Sequence, residues 1–144
     1  MKEEIKIFLA EDDRDDSFLF QEALNKIPYA TSLLVAQDGE LLTEMIEKNA
    51  APDFIFLDLN MPKKDGYSCL KEIRSSPKLD NVPVIILSTS SSEQSIERAY
   101  NDGADLYVRK PDNFADLLKI IEACISKKNQ YPDKPSKENF LLMA

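Results

Sequence analysis

An α/β fold, doubly wound around a parallel sheet, is what this sequence predicts, and three observations carry the prediction. Short, continuously apolar runs alternate with stretches of helical periodicity, the runs are too short to be helices, and several end directly in acidic or hydroxyl side chains. The clearest is Phe54-Ile55-Phe56-Leu57, bracketed by Pro52-Asp53 and Met61-Pro62 and ending in Asp58. It reads as a buried central strand. A carboxylate at a strand's carboxyl end lies where open α/β sheets place their ligands, so Asp58 is the first candidate for chemistry. Taken alone, it reads more readily as an ordinary strand-ending, helix-capping Asp.

The other elements follow in order. Ile5 to Ala10 is a short apolar strand running into Glu11-Asp12-Asp13. Phe20, Ala23, Leu24 and Ile27 recur on one face of a helix that should begin near Asp15 or Asp16 and stop before Pro28. Thr31 to Val35 forms a second strand, and Asp38-Gly39 opens a helix carrying Leu41, Leu42, Met45 and Ile46. After the central strand, Asp65 caps a helix through Leu70 and Ile73 that gives out at Ser75-Ser76-Pro77. Val82 to Leu87 is a fourth strand leading into Ser88. Ser91-x-x-Gln94 fits a capping box for a helix bearing Ile96, Ala99 and Tyr100, with Gly103 at its end. Leu106 to Val108 is a fifth strand, followed by Lys110-Pro111 and a last helix started by Asp112. Phe114, Leu117, Leu118, Ile121 and Ile125 line one face of that helix, and Ile120 and Cys124 widen it enough to offer a second face to a partner. Residues 128–144 break the pattern and read as a tail, partly disordered, that ends in the apolar patch Phe140 to Met143. The patch is expected to dock near Ile120 and Cys124, of its own or a second protomer.

Composition narrows the chemistry. A chain of 144 residues suits one domain, and no apolar run approaches the roughly 20 residues that span a bilayer. No membrane role is expected, and the start lacks signal-peptide character, so a cytoplasmic location is expected. The net charge of −8 argues against direct contact with nucleic acid, which needs Lys and Arg against phosphates. There is no histidine, which excludes Ser-His-Asp and Cys-His catalysis and HExxH zinc sites. Cys69 and Cys124 read as buried free thiols. Carboxylates, hydroxyls and lysine remain.

For this length the expected topology is a flavodoxin-like five-stranded parallel sheet in the order 2-1-3-4-5, with helices on both faces. That order makes strands one and three neighbours and brings Glu11, Asp12 and Asp58 together. Three clustered carboxylates need a proton or a cation, and a hard oxygen cage with room for water suits Mg²⁺. Strands four and five end in the same crevice and deliver Ser88 and Lys110. Singly, each of these residues has a plainer reading as a helix-start charge, a turn hydroxyl or a surface ammonium. Asp13, Asp15 and Asp16 are expected to be solvated charges without chemistry, and Lys63-Lys64 an exposed turn.

Glu11-Asp12, Asp58-x-Asn60-Met61-Pro62-x-x-Asp65-Gly66, Ser88 and Lys110-Pro111, in that order after successive strands, resemble the receiver domain of two-component response regulators. The resemblance covers residues 4–127. It implies that Asp58 accepts a phosphoryl group from a sensor histidine kinase, with Mg²⁺ held by Asp12, Asp58 and the Asn60 carbonyl and supported by Glu11 through water. It further implies that Ser88 and Lys110 contact the phosphoryl oxygens, and that Ser88 and Tyr107 form the switch. Two departures stand out: Ser88 replaces the commoner Thr, which would loosen its coupling to Tyr107, and Glu11 replaces a commoner Asp. A cis Lys110-Pro111 bond is also expected, since X-Pro is where cis costs only about 0.5–1 kcal/mol.

With no output domain in the chain, the expectation is a stand-alone switch, not an enzyme beyond its own phosphorylation and dephosphorylation. The signal would leave through a downstream protein or a homodimer built on the last strand and helices. Asn60 to Lys64 and Leu87 to Ser92 resemble single-domain regulators that partner phytochrome-type kinases. Two other classes share part of this pattern. A haloacid-dehalogenase-type phosphatase would need a second Asp two residues beyond the nucleophile, where this chain has Asn60; a pure interaction module would not need Asp58, Ser88 and Lys110 intact.

Overall fold

The computed structural model describes residues 4–127, 131 and 140–142. In chain order the elements are β1 (Ile5–Ala10), α1 (Arg14–Lys26), β2 (Thr31–Ala36), α2 (Gly39–Lys48), β3 (Phe54–Asp58), α3 (Gly66–Arg74), β4 (Val84–Ser88), α4 (Glu93–Asn101), β5 (Leu106–Arg109), α5 (Phe114–Ser126) and β6 (Leu141–Leu142), with a 3-10 turn at Pro77–Leu79. The sheet runs β2-β1-β3-β4-β5-β6, every described pairing is parallel, and the predicted order of the first five strands is present.

Alternation along the strands divides the core in two. Phe54 and Phe56 of β3 join Leu9, Ile85 and Val108 beneath α1 and α5, which contribute Phe20, Leu24, Ile121 and Ile125. Ile55 and Leu57 point the other way, toward Leu42 of α2, Leu70 and Ile73 of α3 and Ala99 of α4. Every residue of β3 and of β4 is buried, which is why both read as unbroken apolar runs.

Helix starts differ from the sequence reading by one or two residues. Asp13 is the cap of α1, its carboxylate accepting from the backbone N–H groups of Asp15 and Asp16. Ser92, not Ser91, caps α4 through the Ser95 N–H, and Asn113, not Asp112, caps α5 through the Asp116 N–H. Where several cap-competent residues adjoin, the helix starts at the one whose side chain reaches a free N–H once the strand before it has been paired.

Three further expectations fail. Among the described residues no peptide bond is cis. The Lys110 N–H stays in ladder register by donating to Ser88 O at 2.8 Å, and from there the flexible four-carbon stem brings the amine into the crevice unaided. Ile120 and Cys124 are not a face for a partner, being 3% and 0% exposed within the core. Phe140 does not dock there either. It is 1% exposed on the opposite side of the sheet, with ring centroids 5.2 Å from Tyr100 and 6.2 Å from Tyr107. The reason is backbone pairing: Leu141 and Leu142 align with Tyr107 and Val108 on the open edge of β5, which fixes the side on which Phe140 falls. The residue that reaches Cys124 is Tyr131, whose hydroxyl donates to the Cys124 carbonyl at 2.8 Å. The remainder of the tail lies outside the described residues.

Candidate functional site

Sheet register assembles the site. Ala10 pairs with Leu57, so Glu11 leaves the sheet level with Asp58; Asp58 pairs with Leu87 and Ser88 with Arg109, so Ser88 and Lys110 emerge beside them. Ligand atoms of Glu11, Asp12 and Asp58 all lie within 4.8 Å of one another, as the strand order required. Glu11 and Asp58 are buried and Asp12 is exposed, so the group opens to water on one side.

The loop after β3 is held close to that carboxylate. The Asn60 N–H donates to Asp58 Oδ1 at 3.2 Å, and the Gly66 N–H donates to Leu59 O at 3.0 Å, drawing the start of α3 onto the strand end. A Cβ at Gly66 would stand 2.5 Å from Asp58 O and 2.6 Å from the Leu59 Cα, so this approach is open to glycine alone.

Lys110 is the cation of the crevice. Its Nζ lies 2.8 Å from Glu11 Oε1, 3.1 Å from Asp16 Oδ2 and 3.7 Å from Asp58 Oδ2. Burial alone would lower its pKa, but the Glu11 carboxylate, with Asp58 and Asp16, outweighs that and raises it, keeping the amine charged. Burial acts on Glu11 in the opposite sense. Burial first, then a hydrogen bond with Asp58 and that group's charge, together push the carboxyl up to about 8, with Lys110 countering only in part. Three carboxylates meet here against one lysine, and oxygen-only donors of this kind fit a hard divalent cation.

Ser88 is 1% exposed, and its Oγ accepts from the Ser90 N–H at 3.1 Å. Tyr107 on β5 is fully buried, with its hydroxyl donating to Ser90 O at 2.8 Å. Ser90 thus touches both, a contact the sequence reading did not contain. It also missed Asp16, expected to be solvated and instead bonded to Lys110. The signal was available: once Asp13 is the cap, Asp16 is the third residue of α1 and falls on the turn that overhangs the end of β1. Lys64 is likewise no free turn residue, since its amine bonds Thr43 Oγ1 at 3.1 Å and pairs with Glu72.

Fold and site together describe a phosphorelay-type signalling module: a doubly wound sheet with an acid cluster, a hydroxyl and a lysine at its carboxyl edge. The response regulator receiver domain pattern matches residues 7–122, and the chain belongs to that family. It is similar to the response regulator Rcp1 of Synechocystis sp., at 35% identity over 122 residues, 81% of this chain and 83% of that protein. Among solved structures it resembles the phosphorylated cyanobacterial phytochrome response regulator RcpA, with a TM-score of 0.82 and 36% identity over 93% of this chain and 100% of that one. It also resembles the Mn²⁺-bound form of Rcp1, with a TM-score of 0.77 and 33% identity over 92% and 99% of the two chains.

Proposed function

We infer that the chain is a single-domain response regulator that accepts a phosphoryl group on Asp58 from a sensor histidine kinase. The observation that carries this reading is the meeting of three carboxylates within 4.8 Å with the Lys110 amine 3.7 Å from Asp58. An Asp58 oxygen attacks phosphorus, and the bond from phosphorus to the donor's imidazole nitrogen breaks, the nitrogen keeping the electron pair. Such transfer asks mainly for in-line placement and neutralisation of oxygen charge.

Glu11, Asp12, Asp58 and the Asn60 carbonyl would hold a divalent cation, Mg²⁺ being the hard ion that suits oxygen ligands with water. When bound, it supplies positive charge to the acid cluster and to the phosphoryl oxygens. Lys110 supplies the protein's own positive charge to those oxygens, and Ser88 a hydroxyl donor. The Mn²⁺ form of Rcp1 and the phosphorylated form of RcpA support this assignment. Similarity to a phytochrome response regulator supports a phytochrome-type kinase as the donor, and with it a cytoplasmic setting; no helix among the described residues is long and apolar enough to cross a membrane. The signal leaves by Ser88 and Tyr107 toward β5 and its flanking helices, for a downstream protein or a second copy of the chain.

Acetyl phosphate should label Asp58 only when Mg²⁺ is present, and Asp58→Asn should abolish the label in a phosphate-release assay or by mass spectrometry. Persistent labelling of the Asn variant, or equal labelling in EDTA, would overturn the assignment.

A further inference from the structure

We propose that Asp16 is a positioning residue for Lys110, the one carboxylate that keeps the ammonium beside Asp58 while a cation occupies the others. The proposal rests on the phosphoacceptor reading above and adds a residue to it.

Three carboxylates face the Lys110 amine: Glu11 at 2.8 Å, Asp16 at 3.1 Å and Asp58 at 3.7 Å. Two of them, Glu11 and Asp58, also belong to the cluster that fits a divalent ion, and Asp16 does not. Ammonium and cation therefore compete for the same two acids, and they repel each other across a short distance. With Glu11 and Asp58 turned to the metal, Asp16 is the carboxylate left among the described residues to hold the lysine.

Both ends of this pair are fixed by the fold. Asp13 Oδ1 accepts from the N–H groups of Asp15 at 2.8 Å and Asp16 at 3.0 Å, which locks the first turn of α1 and the origin of the Asp16 side chain. That turn is also where a negative charge is favoured by the helix dipole. Lys110 leaves the sheet from a backbone anchored to Ser88 O at 2.8 Å. The Asp16 side chain is 43% exposed, so water screens the pair. A screened pair orients the amine without trapping it, and leaves it able to turn to an arriving phosphoryl oxygen.

The test is a double-mutant cycle on the full chain with D16N, K110M and D16N/K110M, reading Mg²⁺ affinity by calorimetry and initial acetyl phosphate labelling at saturating Mg²⁺. D16N should weaken Mg²⁺ binding about threefold or more, because the ammonium must then stay on Glu11 and Asp58, and should slow labelling; both effects should largely vanish in the K110M background. Asp16→Glu should restore part of the loss. Equal effects of D16N in both backgrounds would mark Asp16 as a mere surface charge, and no effect in either would show that it does not position Lys110; both outcomes overturn the proposal. A wild-type chain that neither binds Mg²⁺ nor takes label would instead fail the phosphoacceptor reading, and this proposal with it.

Discussion

Glu11 pairs with Lys110 at 2.8 Å and still has its pKa raised to about 8 from an ordinary 4.5, because burial and the neighbouring acid outweigh the amine. Between pH 4.5 and about 8 the folded metal-free chain holds a proton on Glu11 that the unfolded chain has lost. This group's contribution to stability is therefore complete below 4.5 and lost as pH rises toward 8. A cation requires the carboxylate, so its binding must displace that proton. Mg²⁺ titrations near pH 6.5 in two buffers of different ionisation enthalpy should give different heats, reporting proton release, and the difference should fade near pH 9. Identical heats at the lower pH would contradict the raised pKa.

Between the crevice and β5, a short chain of contacts joins the elements. The Ser90 N–H donates to Ser88 Oγ, and the Ser90 carbonyl accepts from the Tyr107 hydroxyl, so the loop entering α4 links the hydroxyl in the site to the ring in the sheet. Tyr107 is already fully buried, and a change at Ser88 would reach it through the Ser90 backbone. Beryllofluoride with Mg²⁺ should therefore shift the amide resonances of Ser88, Ser90 and Tyr107 together. Shifts confined to residues 11–12 and 58–60 would exclude this route.

At the scale of the whole molecule, the open edge of β5 is closed by the chain's own C-terminal segment. Phe140 completes the cluster of Tyr100 and Tyr107 on one side of the sheet, while Tyr131 packs against Phe54 on the other, their ring centroids 6.1 Å apart. Burying a Phe side chain this completely is worth about 3 kcal/mol against alanine. Phe140→Ala should lower the unfolding free energy by about that amount, read as a lower urea midpoint at an unchanged slope. Truncation after Lys128 should do the same, and it should also bare a strand edge and the Tyr107 side of the sheet, raising self-association in sedimentation. Unchanged stability and unchanged mass in both variants would show that the segment contributes nothing to the fold.

Much of this was legible in the chain. The runs around Phe56 and Ile86 read as buried strands, because an unbroken apolar stretch of that length has no solvent face, and parallel pairing with helical crossovers at this length pointed to the order 2-1-3-4-5. That order, with acids at the ends of strands one and three, determined that Glu11, Asp12 and Asp58 would meet and that Ser88 and Lys110 would emerge beside them. The partners of flexible or ambiguous groups were decided only in three dimensions. Asp16 meets Lys110 because the choice of Asp13 as cap sets the rotation of α1, and three adjacent acids give no local reason to prefer one. Phe140 meets Tyr107 because a strand edge accepts any extended backbone that reaches it, and which edge, and which face, depends on the open side of a sheet that exists only after the other five strands have paired.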